Sequence, residues 1–229
     1  MTALIRFQIA GYLRSLRALH PLIVIALVVV LVLFQGPSGP DAADLAVGTF
    51  GDVAAFMFPV WAWAARALLD TQPDEQRLLT ASAARRSTTP MWAGLLASYL
   101  VNLGLGAVAL GIPLLQAVQV HASGQAILAG VALNLLAAVP GTLIGAWTSR
   151  ALIADPGISL LVLLSALTAA VLLGIGRLSW LSIPLIDWLR AAHNGSDGLT
   201  AHFPAIALHL ALWSALVGAA YVAVARTRP

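Results

Sequence analysis

Long apolar runs separated by short polar links set the plan of this chain. Runs at 20–35, 49–69, 91–116, 125–147, 157–176 and 204–225 are almost free of charge. A helix needs about 20 such residues to cross the hydrocarbon of a bilayer, so these six runs predict six membrane-spanning helices. The links between them carry the turn formers. The link at 35–44 (QGPSGPDAAD) is rich in Gly, Pro and Asp, and 149–156 is a tight polar turn.

Two further segments are patterned but do not span. In 1–19, Ile5, Ile9, Tyr12, Leu16 and Leu19 repeat at helical spacing on one face, with Arg6, Arg14 and Arg17 opposite. This predicts a single amphipathic helix lying in the interface of an anionic leaflet. No small-residue cleavage site follows it, and the apolar run continues into the first span, so it does not read as a cleaved signal. The run 178–189 is too short to span and contains Pro184; it reads as a re-entrant or outer element. Residues 190–203 (RAAHNGSDGLTAHF) read as an exposed loop. The fold expected is one all-α transmembrane domain over 1–229, with six spans, the N-terminal interfacial helix, a helix between spans two and three, and the short re-entrant element before span six.

Composition agrees with the pattern. The chain is 60% hydrophobic and 9% charged, with a mean hydropathy of +0.92. Soluble domains carry about 25% charged residues, and so few charges could not cover a soluble surface. There is no cysteine, which excludes disulfides, thiolate metal sites and thiol redox chemistry. There is no lysine either: all 12 basic residues are arginine, and with the heavy use of Ala and Leu this suggests a GC-rich bacterial gene. The net charge of +3 is too small for a nucleic-acid surface, and the arginines flank apolar runs.

Those arginines orient the chain. With the N-terminus inside, Arg6, Arg14, Arg17, Arg66, Arg77, Arg85, Arg86, Arg150, Arg226 and Arg228 are cytoplasmic, and only Arg177 and Arg190 lie outside. The bias follows the positive-inside rule. The expected location is the bacterial cytoplasmic membrane, multi-pass, with both termini in the cytoplasm.

Catalytic chemistry is sparse. Without lysine there is no Walker A loop, and the one glutamate, Glu75, has no histidine near it for an H-E-x-x-H zinc site. The segment GTFGD at 48–52 only partly resembles the glycine–aspartate motif of intramembrane aspartyl proteases: Thr49 stands where a glycine is expected, and no second intramembrane Asp completes a dyad. Ser196 with His193 and Asp197 would be a nucleophilic site only in outline, since Gly, Ser, Asn and Asp together are ordinary turn formers. His209 is the histidine placed furthest into a span. It reads as a substrate or proton contact, or as a neutral histidine bonded to a neighbouring helix.

The informative polar stretch lies between spans two and three, LLDTQPDEQRLLTASAARRSTTP. Thr71 with Asp74 fits a helix-capping box, Pro73 suits a first turn, and Arg85 and Arg86 suit the C-terminal end. A helix over 73–84 carrying Leu78 and Leu79 follows, and its leucines imply a docking partner. A solvated connector is the plainer alternative. Elsewhere, Arg66 and Asp70 are spaced to pair on one helix. Gly141 and Gly145 allow close helix packing. Phe56, Phe58, Trp61 and Trp63 enrich span two in aromatics, and Asn102 suits an interhelical hydrogen bond.

Taken together, this arrangement resembles the permease subunit of type-two ABC exporters. The D-x-x-P-D-E-Q-R-x-L-x-x-S pattern over 70–82 is similar to bacterial members of that family. The resemblance covers essentially the whole chain, without a catalytic motif to check. It implies that 73–84 is a coupling helix seated on a separate ATPase, with Asp74, Glu75, Gln76, Arg77, Leu78 and Leu79 as the contact. It implies that 1–19 is an elbow helix bearing Arg6, Arg14 and Arg17. It implies two permease subunits, alike or different, around one pathway, for which Phe56, Trp61, Asn102 and His209 are candidate residues. The chain itself would bind no cofactor or metal and would not be an enzyme; ATP and Mg would sit on the partner ATPase. The alternatives are a secondary transporter or membrane enzyme working without an ATPase, and a non-transporting accessory subunit.

Overall fold

A computed structural model of the chain describes residues 1–34, 36–73, 76 and 88–227. Among these residues there are eight α-helices and no strand: α1 (Thr2–Arg14), α2 (Leu19–Phe34), α3 (Ala42–Leu69), α4 (Thr89–Gln119), α5 (Gly124–Trp147), α6 (Pro156–Ile175), α7 (Leu185–His193) and α8 (Gly195–Thr227). Five of them, α3 to α6 and α8, are long and apolar enough to cross a membrane. The chain is therefore an all-helical, multi-pass membrane protein. α2 has 16 residues, a length of about 24 Å, short of the ~30 Å of hydrocarbon. It meets the criterion only together with α1, from which it bends by 77°.

α3 is the hub. Of its most apolar stretch 72% is buried, against 17% for α6. It packs most extensively on α5 and α4, and also touches α2, α7 and α8. Hydrophobic burial does not drive such packing in lipid, where exposed leucine is already in its solvent; close contact and hydrogen bonds must do so. α5 supplies both. A Cβ on Gly130 would sit 2.5 Å from the Phe50 ring, one on Gly141 would sit 2.9 Å from the Trp61 Cβ, and one on Gly145 would strike the Ala62 carbonyl. The glycine pair read from the sequence as a packing motif thus lies against α3 of the same chain.

Two asparagines lock the register. The Asn134 side chain donates to the Phe50 carbonyl (3.0 Å) and to Gly130 of its own helix (2.9 Å). The Asn102 side chain donates to the Trp61 carbonyl (3.0 Å) and the Thr142 hydroxyl (2.9 Å), while the Trp61 indole N–H donates to the Asn102 carbonyl (3.1 Å). α3, α4 and α5 are thereby joined at one level. Each bond to a backbone carbonyl fixes how one helix is set against the next, at a net stabilisation of about 1 kcal/mol apiece.

Three expectations are corrected. The helix predicted over 1–19 is broken at Ser15, which is extended (φ −80°, ψ 143°), followed by a short 3₁₀ turn at Leu16–Ala18. Ile5, Ile9 and Tyr12 pack with Leu68 and Ala97 as the periodicity requires, but Leu16 and Leu19 are exposed. The reason is Pro21: a helix continuing through it would lose one hydrogen bond and press the ring on the Arg17 carbonyl, whereas the first turn of a new helix accepts it. The exposed loop predicted at 190–203 is instead the end of α7 and the first turns of α8, turned at Gly195 with φ +78°. The run predicted at 178–189 is a 3₁₀ turn, Ser179–Leu181, leading into α7, and α7 extends to His193. The apolar side of α7 lies on α3: Trp188 is fully buried, edge-on to Phe58 with ring centroids 6.4 Å apart.

Both chain ends lie at the same end of the bundle. Leu95 of α4, Ala146 of α5 and Tyr221 of α8 share a cluster there, and α1 packs beside Leu68.

Replacing Gly145 by Val is expected to lower stability by about 1–3 kcal/mol, the usual cost of overpacking. Gly104 has nothing within 4 Å of a new Cβ, so Gly104→Ala is expected to be neutral or slightly stabilising. Thermal unfolding of the two variants in detergent tests the seam; equal melting temperatures would contradict it.

Candidate functional site

The C-terminal turn of α3 carries Arg66 and Asp70, one helical turn apart. Their spacing alone gives a weak pair, Arg66 Nε to Asp70 Oδ2 at 3.8 Å. The fold gives each a larger task. The Arg66 Nε–H donates to the Ser159 hydroxyl (2.6 Å), and Nη2 donates to the Pro156 carbonyl (3.1 Å). Ser159 in turn donates to the Thr148 carbonyl. Arg66 thus holds α3 to the start of α6 and, through Ser159, to the end of α5.

Asp70 is the C-cap of α3. Its Oδ1 accepts the backbone N–H of Arg150 (2.7 Å), in the turn between α5 and α6. Its carbonyl accepts from Arg17 Nη1 (2.8 Å), in the 3₁₀ turn between α1 and α2. Charge-assisted bonds of this kind are about twice as strong as neutral ones. One residue therefore gathers the N-terminal segment, the hub helix and the α5–α6 turn. It stands three residues before Pro73, where the predicted coupling helix over 73–84 begins. Of the contact residues expected there, Gln76 is exposed. Asp74, Glu75, Arg77, Leu78 and Leu79 lie outside the described residues.

The elbow arginines, Arg6, Arg14 and Arg17, are all exposed, and of these Arg17 makes the bond to Asp70. The candidate pathway residues are not gathered. Phe56 is exposed on the outside of α3, whereas Trp61 and Asn102 are fully buried and bonded to one another. That makes the last two part of helix packing and removes them from any surface a substrate could touch within the subunit. His209 lies well inside α8 and bonds the Trp180 carbonyl through Nε2 (3.2 Å). It lines a small cavity of about 280 Å³ together with Asp187, Arg190 and His202.

Toward the far end of α3, Asp44 in its first turn and Asp52 about three turns in are also committed. Asp44 accepts the Ser196 backbone N–H (2.9 Å) at the start of α8, where a carboxylate satisfies an open donor and suits the helix dipole. Asp52 Oδ1 is 2.8 Å from His193 Nε2. A Cβ on Gly48 would lie 3.4 Å from His193 Nδ1, so both ring nitrogens face α3. His193 pairs with Asp52, and no hydrogen bond joins it to Ser196 or Asp197 among the described residues. Among the described residues no group of three His, Cys, Asp or Glu side chains could hold a metal ion.

Comparison with protein-family models, with curated proteins and with solved structures finds no match to this chain.

The Asp70 node missed by sequence reading can be probed directly. Asp70→Asn keeps an oxygen for the Arg150 N–H; Asp70→Ala removes it and leaves a donor unpaired at a cost of about 1–3 kcal/mol. The expected order of stability is wild type, then Asn, then Ala. Amide exchange at Arg150 should accelerate in the Ala variant. Equal protection in the two variants would argue against the node.

Proposed function

We propose that this chain is the membrane-spanning permease subunit of an ATP-driven ABC exporter, forming half of a substrate pathway and driven by separate ATPase subunits. The observation that carries the reading is the Asp70 node. A permease of this kind must transmit a push received on its cytoplasmic surface, and Asp70 ties the root of the 73–84 segment to the N-terminal segment and to the α5–α6 turn. A segment that merely linked two spans would not require such ties.

Other features support it. α1 bends by 77° from α2 at the arginine-rich end, as an elbow helix lying in the interface would. Six spans follow if α2 crosses as the first. Arg17, Arg66 and Arg150 are brought together at one end, and Arg190 lies at the other on α7. By the positive-inside rule the first end is cytoplasmic, with both termini there and the α7 corner outside. The assembly would comprise two permease subunits in the cytoplasmic membrane of a bacterium, with ATP and Mg on the ATPases and none on this chain. Ionisable groups on α3 lie mostly toward its ends, leaving mid-membrane chemistry to little beyond His209 and the Asp52–His193 pair.

Deleting residues 74–83 is the decisive variant. The full chain, purified from native membranes, is expected to bring an ATPase with it. The deletion is expected to lose that subunit and transport-linked hydrolysis while melting at an unchanged temperature. A deletion variant that still carries and stimulates the ATPase would sink the reading.

A further inference from the structure

The corner between α7 and α8 holds a small polar cavity. Asp187 and Arg190, one turn apart on α7, line one side of it together with Asn194; His202 and His209 of α8 line the other. The packing of α7 on α3 is carried by other residues, Trp188 and Ala192. Asp187, Arg190, Asn194 and His202 are exposed, so the bundle does not need them for its own cohesion.

The two charges are not spent. Opposite charges three residues apart on a helix ordinarily pair with each other. Here neither the Asp187 carboxylate nor the Arg190 guanidinium forms a hydrogen bond or an ion pair with any residue, among the described residues. Both remain available to a third party.

The histidines add a fixed polarity. His209 meets the Trp180 carbonyl through Nε2 (3.2 Å), and His202 meets the Gly198 carbonyl through Nδ1 (2.9 Å). A carbonyl only accepts, so those two nitrogens carry the hydrogens. In a neutral ring the other nitrogen, Nδ1 of His209 and Nε2 of His202, is then an acceptor. The lining thus offers three acceptors, counting the Asp187 carboxylate, and one cation.

That set selects its ligand by charge. A simple anion would be repelled by Asp187, and a simple cation by Arg190. Among the described residues no three His, Cys, Asp or Glu side chains are placed to hold a metal ion. A molecule with one charge of each sign satisfies both residues. Its cation must bring N–H donors for the acceptors. The lining contains no Phe, Tyr or Trp, which a quaternary ammonium would need as a cage. Its anion must be an oxyanion, because the forked guanidinium of arginine pairs best with carboxylate or phosphate oxygens. His209 lies two turns beyond His202 on α8, so the lining descends ~10 Å along the helix.

We propose that this cavity binds a small zwitterion, its primary ammonium at Asp187 and the histidine acceptors and its oxyanion at Arg190. The ethanolamine phosphate headgroup of a phospholipid and free phosphoethanolamine share that chemistry. The site does not depend on the transporter reading and stands or falls separately.

The test is native mass spectrometry of the full chain, freed of lipid in detergent and titrated with phosphatidylethanolamine, phosphatidylcholine or phosphatidylglycerol. The first ethanolamine lipid is expected to bind at least about tenfold more tightly than either of the others, equivalent to ~1.4 kcal/mol. Phosphatidylcholine keeps the charge but has no N–H, and phosphatidylglycerol has no cation. Asp187→Asn and Arg190→Gln should each remove that preference. Arg177→Gln, an exposed arginine outside the cavity, should leave it unchanged. Unchanged melting temperatures show that the variants fold, and Asp187→Glu should recover part of what Asp187→Asn loses. Equal binding of the three lipids by the wild type would overturn the proposal. So would a preference that survives both cavity substitutions, or one for phosphatidylglycerol, which would mark a plain anion site. Free phosphoethanolamine separates the sources: an adduct at concentrations comparable with the lipid assigns the site to a soluble zwitterion, and a lipid adduct alone assigns it to the bilayer headgroup.

Discussion

The bundle depends on how closely α5 can approach α3. Three glycines set that distance, because Phe50, Trp61 and the Ala62 carbonyl occupy the space that a side chain would need. In lipid, the apolar surface gained by this approach is not itself a driving force, so tight van der Waals contact has to supply it. Closeness alone does not set register. Asn134 and Asn102 do, by donating to two α3 carbonyls, of Phe50 and Trp61, eleven residues apart. That separation is about 16 Å along the helix, so α3 is held at two levels and cannot slide without breaking both.

The same helix is fastened at its ends by charge. Arg66 and Asp70 tie one end to α6, to the α5–α6 turn and to Arg17. Asp44 ties the other to α8, and Asp52, about three turns in, binds His193 on α7. Polar groups are costly within hydrocarbon and cheap at its edges; Asp44, Arg66 and Asp70 lie toward the ends of α3, while Asp52, between the two asparagine-bonded levels, is paired with His193. Movement imposed near Asp70 would then reach the far corner through a stiff central rod.

Much of this arrangement was legible in the sequence wherever one residue type carried one meaning. The apolar runs announced the long helices, and Gly141 with Gly145 announced close packing. Asn102 announced a bond between helices. The failures came where a local signal competed with a distant one. The periodicity of 1–19 continues smoothly past Ser15, and only Pro21, beyond the pattern, says that the helix must break. The letters NGSDG read as a loop because every one favours turns, yet a single positive φ at Gly195 turns the chain. Asp44, more than 150 residues earlier, caps the helix that follows. Asp70 looked like half of an i, i+4 pair, since its partners Arg17 and Arg150 are far away in sequence. Such long-range partners leave no trace in spacing.

The consequence for mechanism lies in α6. Near its start Arg66 holds Ser159 and the Pro156 carbonyl. Near its end Ser182 donates to the Ala170 carbonyl, and a Cβ on Gly174 would lie 3.2 Å from Ile186 of α7. Between these pins Leu163 is fully buried in the main core, with Leu160, Ala166 and Leu167 packed against it. The pin at its start is shared with the Asp70 node, so whatever moves the root of the 73–84 segment also moves α6.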